Sequence, residues 1–140
     1  IPLRLVGSEM CIRDRQNVMR ELRGSGVRSS LFLDADPEMV EQVTSVAADR
    51  IELYTEDFAS HFGGSKQEPV FERYLAAAGR ASQLGIGLNA GHDLDLQNLA
   101  KFLQIPKILE VSIGHALIVE SLQLGVTEVI RRYLGIVDRK

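Results

Sequence analysis

The chain is short of cysteine, having only Cys11 in 140 residues. A single thiol excludes an internal disulfide and a cysteine-rich zinc site, and it fits a reducing, cytoplasmic setting. Histidines are few as well: His61, His92 and His115 are joined by no H-x-x-x-H or H-E-x-x-H spacing, so the sequence has no local metal motif. No apolar run approaches the roughly 20 residues that cross a bilayer. A net charge of −3 supplies no basic footprint for nucleic acid and no polybasic membrane stretch. Neither a G-x-G-x-x-G after a strand nor a P-loop occurs, which removes the commonest nucleotide-binding sheets.

What is present reads as one globular domain with an unusual start. The 45% hydrophobic and 25% charged content is ordinary for such a domain. Residues 1–15 (IPLRLVGSEMCIRDR) have neither a helical nor a strand period and no signal-peptide core. They read as a leader foreign to the domain, or as a disordered native terminus, and the domain is placed at residues 16–140.

From Gln16 onward the pattern is regular. Gln16 to Leu22 reads as the end of a helix with Val18, Met19 and Leu22 on one face, and Val27 to Leu33 as a short strand. Asp36 caps the next helix and Pro37 opens it, with Met39, Val40, Val43 and Ala47 sharing a face. Arg50 to Thr55 is a strand. Glu56 to Gln67, carrying Gly63-Gly64-Ser65, is expected to be a loop, either a mobile cover or a tolerated insertion. Pro69 opens a long helix that buries Phe71, Tyr74, Leu75, Ala78 and Ala81, and Gly85 closes it. Gly87 to Asn89 and Ile108 to Ile113 are the remaining strands. Helices are expected from Asp95 to Leu103, from Ala116 to Leu124 and from about Thr127 to Leu134. Strict alternation predicts an α/β fold with a parallel sheet whose short apolar strands are covered on both faces. Four such units suit either an open doubly wound sheet or half of a (β/α)₈ barrel.

Two strand runs end in Gly-His, at Gly91-His92 and at Gly114-His115, and each leads into a helical pattern. Strand C-termini are where β/α proteins place their chemistry. A general acid or base on one strand and a phosphate cradle on the other would then share a pocket. His92 reads as that acid or base, or as a hydrogen-bonded loop histidine; Asn89, Gly91 and Asp93 crowd the same turn and favour the first reading. Gly114-His115 offers free helix-start N–H groups to an anion, or is a tight turn needing glycine for geometry alone. Glu52 shares a strand face with Tyr54, opposite Ile51 and Leu53. It points into a polar pocket, or is satisfied by a nearby arginine or water. Asp34 and Asp36 read mainly as turn and cap residues, His61 as a surface residue, and Arg131-Arg132 as a solvated helix end.

The segments SLFLDADPE (Ser30 to Glu38), ADRIELYTEDFA (Ala48 to Ala59), LGIGLNAGHDLDLQNL (Leu84 to Leu99) and IPKILEVSIGHALI (Ile105 to Ile118) together resemble the pyridoxine 5'-phosphate synthase family of vitamin B6 biosynthesis. The resemblance implies strands five to eight of a TIM (β/α)₈ barrel, a half-barrel. It implies a transferase that condenses 3-amino-2-oxopropyl phosphate with 1-deoxy-D-xylulose 5-phosphate, releasing inorganic phosphate and water, with no metal or organic cofactor. By motif, His92 is implied as proton donor and Glu52 as transition-state stabiliser. Asp93, Gly114 and His115 are implied as contacts to the amino-ketone substrate. Asp93 stands where many members have glycine, and Tyr54 and Glu56 replace a histidine and a glycine. The family's other catalytic groups lie on the first four β/α units, which residues 1–15 do not supply. The expectation is therefore a C-terminal half that is inactive alone and belongs to a homo-oligomeric enzyme when complete. The alternative is a non-catalytic half-barrel that binds phosphate or self-associates through its raw sheet edges.

Overall fold

A computed structural model of the chain describes residues 9–138. It opens with helix α1 (Glu9–Gly24), then alternates β1 (Ser30–Leu33), α2 (Pro37–Val46), β2 (Arg50–Tyr54), α3 (Glu56–His61), α4 (Gln67–Gln83), β3 (Gly87–Gly91), α5 (Leu99–Phe102), β4 (Ile108–Ser112), α6 (His115–Leu124) and α7 (Val126–Val137). The four strands form one sheet in the order β1-β2-β3-β4, every pair parallel. The expected alternation and parallel sheet are both present. Helix α1 begins well before Gln16; the part of the expected leader ahead of Glu9 lies outside the described residues.

Local chemistry explains most boundaries. Asp36 accepts the Glu38 N–H at 2.9 Å and Pro37 occupies the first turn of α2, where its missing N–H costs no hydrogen bond. Val40, Val43 and Val46 form the buried stripe of α2. Ala47 was expected on that stripe but is its exposed left-handed C-cap at φ 54°. Val18 and Val27, expected on an apolar helix face and in the first strand, are 52% and 48% exposed. Gly125, at φ 85°, separates α6 from α7 in a conformation that glycine adopts at least cost.

Residues 56–67 are a loop only over 62–66. They hold α3, whose Phe58 is fully buried among Phe62, Phe71, Tyr74 and Phe102, with ring centroids 5.0–6.1 Å away. Burying those aromatic faces anchors α3 in the core, so it is no mobile cover.

The expectation that both sheet faces are covered is also corrected. Ile51, Leu53, Leu88 and Ala90 point into the core beneath α2, α4 and α5. On the opposite face Phe32, Glu52, Asn89 and Glu110 lie in one register row, and Phe32 is 46% exposed. A polar network crosses this face. Arg50 binds Glu110 at 2.7 Å and Asn89 Oδ1 at 3.1 Å, and Arg28 binds Glu110 at 3.0 Å. Burial pushes the Glu110 carboxyl up, but the Arg50 hydrogen bond and the charges of Arg28 and Arg50 outweigh it and hold it below its ordinary value.

All three tyrosines, Tyr54, Tyr74 and Tyr133, hold their protons more tightly than a free phenol. Burial pushes Tyr74 up to about 12 while its hydroxyl donates to the Tyr54 carbonyl at 2.7 Å. Burial and a hydrogen bond to Glu120 raise Tyr133; a hydrogen bond to Glu56 raises Tyr54. These folded values lie above the unfolded one, so the stability they confer is complete below about pH 10 and is lost as pH climbs through the folded values. The Tyr74 share of the phenolate absorbance at 295 nm should therefore be absent at pH 10 and appear near pH 12, together with loss of the far-ultraviolet helix signal. Half-ionisation of Tyr74 near pH 10 with the helix signal intact would contradict this.

Candidate active site

Two turns that the sequence singled out, at His92 and at Gly114-His115, follow the C-terminal ends of β3 and β4. Tyr54, Gly91 and Ser112 end their strands in register. Glu52 and Tyr54 share the open face, with Ile51 and Leu53 both fully buried on the other, as their alternation predicts. Glu52 lies directly over Gly91: a Cβ on that residue would collide with Glu52 Oε1 and stand 3.0 Å from the Ser112 Cβ. Glycine is needed here for the close approach of a carboxylate to backbone. Among the described residues none hydrogen-bonds the Glu52 carboxylate. The arginine that could have satisfied it, Arg50, is instead bound to Glu110 and Asn89.

His92 follows Gly91 at φ 93° and Asp93 follows at φ 55°. Two consecutive non-glycine residues with positive φ store strain of about 1–3 kcal/mol each, and such conformations persist only where surrounding contacts impose them. The imidazole packs edge-on against Tyr54 with centroids 4.7 Å apart, and Tyr54 in turn leans on Phe32 at 5.2 Å. Nδ1 of His92 sits 2.9 Å from Asp93 Oδ2, and both side chains remain about half exposed. The ring is thus held on one side and open on the other, as a proton-transfer group at a pocket wall must be.

Asn89 does not crowd this turn as expected. It is nearly buried at mid-strand, where it binds Arg50 and Glu110, because its register partner is Glu52 rather than a residue at the strand end. Gly114 and His115 do open α6, and both are exposed. Among the described residues no side chain caps that helix or accepts from its first backbone N–H groups. A Cβ at Gly114 would meet no other atom within 4 Å, and its φ of −108° is not left-handed. No clash within the described chain therefore calls for glycine there.

Sequence reasoning passed over Thr55 and Asn98. Both are buried polar residues beside the His92 turn. The available signal was weak: a threonine at the expected end of a strand and an asparagine within the helix expected from Asp95 to Leu103, which the structure shortens to Leu99–Phe102. Asp36 behaves as the expected cap, and Arg131 and Arg132 both pair with Glu128 at the surface. Among the described residues there is no group of three or more His, Cys, Asp or Glu that could hold a metal ion, and no helix is long and apolar enough to cross a membrane.

A profile of the family described as "Pyridoxal phosphate biosynthesis protein PdxJ" matches residues 9–139, nearly the whole chain. The chain belongs to the PdxJ family. A pyridoxine 5'-phosphate synthase of Albidiferax ferrireducens is 48% identical over 110 residues, covering 78% of this chain and 44% of the relative. Enzymes of the same name from Flavobacterium johnsoniae and Bacteroides thetaiotaomicron are 47% and 48% identical over 120 and 117 residues, covering 85% and 83% of this chain and 50% and 49% of theirs. The chain spans about half the length of the curated relatives it matches. Tyr54, Glu56 and Asp93, the positions expected to differ from the family pattern, lie together around His92. Tyr54 packs on His92, Asp93 hydrogen-bonds it, and Glu56 holds the Tyr54 phenol.

Proposed function

We propose that this chain is the C-terminal half of a pyridoxine 5'-phosphate synthase. It would form four of the eight β/α units of a closed barrel. The whole protein would condense 3-amino-2-oxopropyl phosphate with 1-deoxy-D-xylulose 5-phosphate. The observation that carries the reading is the Glu52 carboxylate, without a hydrogen-bond partner among the described residues, lying over Gly91 next to the His92 turn. Barrel closure is supported by the outer strands β1 and β4, which each pair on one side only, and by the uncovered polar face. Helix α6 adds to this: it buries no residue of its own and leaves Leu122 85% exposed.

In this reading the substrate amine attacks the ketone of the deoxyxylulose phosphate. His92 then delivers protons as water and phosphate depart and the ring closes. Glu52, shielded from bulk water once the barrel is complete, stabilises the cationic character that develops on nitrogen. The uncapped start of α6 seats the amino-ketone phosphate on its backbone N–H groups, with Gly114 leaving the approach clear and His115 flanking it. Asp93 directs its carboxylate at His92 Nδ1, which turns its charge toward the imidazole and leaves its backbone for the substrate. The chemistry needs no metal or organic cofactor, and the complete enzyme is a cytoplasmic homo-oligomer.

The test is completion. Joined behind the part of the Flavobacterium johnsoniae relative that it does not match, the chain should form pyridoxine 5'-phosphate from the two substrates. The 140-residue chain alone should form none. Robust turnover by the chain alone, or none by the completed protein, would overturn the proposal.

A further inference from the structure

Three consecutive carbonyls define the turn that carries His92, and each is held by a separate donor. The Thr55 N–H donates to Gly91 O at 3.0 Å, the Thr55 hydroxyl donates to His92 O, and Asn98 Nδ2 donates to Asp93 O at 3.0 Å. Both side chains are out of water, with Thr55 fully buried and Asn98 3% exposed. Both also occupy the N-cap of a helix, α3 and α5 respectively, where threonine and asparagine ordinarily accept a helix N–H. Neither makes that bond. Thr55 turns its hydroxyl to the His92 carbonyl. Asn98 spends its amide on Asp93 O while its Oδ1 accepts the Asp95 N–H at 3.0 Å. The donors therefore sit where the left-handed pair His92-Asp93, at φ 93° and 55°, would otherwise relax.

We propose that Thr55 and Asn98 are positioning residues that hold the His92-Asp93 turn in its left-handed form and so aim the imidazole at the substrate. The proposal rests on the reading of His92 as the proton donor, and it assigns the geometry of that group to two residues that touch no substrate. An imidazole turned by a few tens of degrees still binds neighbours but transfers protons poorly, so the effect belongs to turnover rather than to substrate binding.

The first readout is independent of activity. In the 140-residue chain the three histidines give three imidazole ring signals by NMR. Thr55→Val should shift the His92 signal while those of His61 and His115 stay in place, and Thr55→Ser should restore it. In the completed protein, Thr55→Val should lower kcat about tenfold or more with both KM values within about threefold, and Thr55→Ser should recover most of the loss. Asn98→Ala reads the same hold without touching β2 and should show the same kcat signature. The proposal is overturned by an unmoved His92 signal with kcat within about twofold. It is also overturned if all three histidine signals move together, if Thr55→Ser is as defective as Thr55→Val, or if neither Thr55→Val nor Asn98→Ala folds. A normal kcat in His92→Asn would sink the proton-donor reading instead, and the NMR comparison would still decide whether the turn is held.

Discussion

Replacing His92 by asparagine in the completed protein should lower kcat by about 10²- to 10⁴-fold, the range that a positioned general acid or base contributes. Asparagine suits the test because it tolerates positive φ better than most residues, so the turn at φ 93° gains no new strain. Stability should barely change, because the imidazole is half exposed and its contacts are one aromatic edge and one hydrogen bond to Asp93. KM for the amino-ketone phosphate should stay near its starting value, since its anionic end is assigned to the α6 start. A kcat within tenfold of the parent would remove His92 from the proton-transfer role.

The elements carrying this site differ in how far the sequence revealed them. The strand Arg50 to Tyr54 was legible because its alternation is local: Ile51 and Leu53 are apolar, Arg50, Glu52 and Tyr54 are not, and burial follows that order. Asp36-Pro37 was legible for the same reason, as a cap and first turn need no distant partner. Helix α3 was missed because Gly63-Gly64-Ser65 dominates its window, while the signal for burial, Phe58 and Phe62 one turn apart, depends on Phe71, Tyr74 and Phe102 from other elements. Asn89 was misplaced because strand length, not composition, decides which residues reach the turn: β3 runs to Gly91 and leaves Asn89 at mid-sheet. The hold on His92 could not be read at all. Thr55 and Asn98 lie 37 and 6 positions away from it, and only the parallel register of β2 with β3 makes the first of them a neighbour.

Gly91→Ala tests how tightly that edge is built. The new Cβ would overlap Glu52 Oε1 and press on the Ser112 Cβ at 3.0 Å, so Glu52 must swing away and β4 must give by a few tenths of an ångström. Overpacking of this kind costs about 1–3 kcal/mol. For a chain of this length that corresponds to a fall in Tm of roughly 3–10 °C. In the completed protein kcat should fall by about 10- to 100-fold as well, because the displaced carboxylate no longer sits where charge develops. The cause can be separated from a general loosening of the sheet by a double mutant. Glu52→Ala removes the atoms that the new methyl meets first, so Glu52→Ala/Gly91→Ala should regain most of the Tm lost by Gly91→Ala alone, and the two substitutions should be strongly non-additive. Any residual loss in the double mutant measures the Ser112 contact. Simple additivity in Tm would mean that Glu52 does not rest on Gly91, and the role assigned to its carboxylate at that edge would fall.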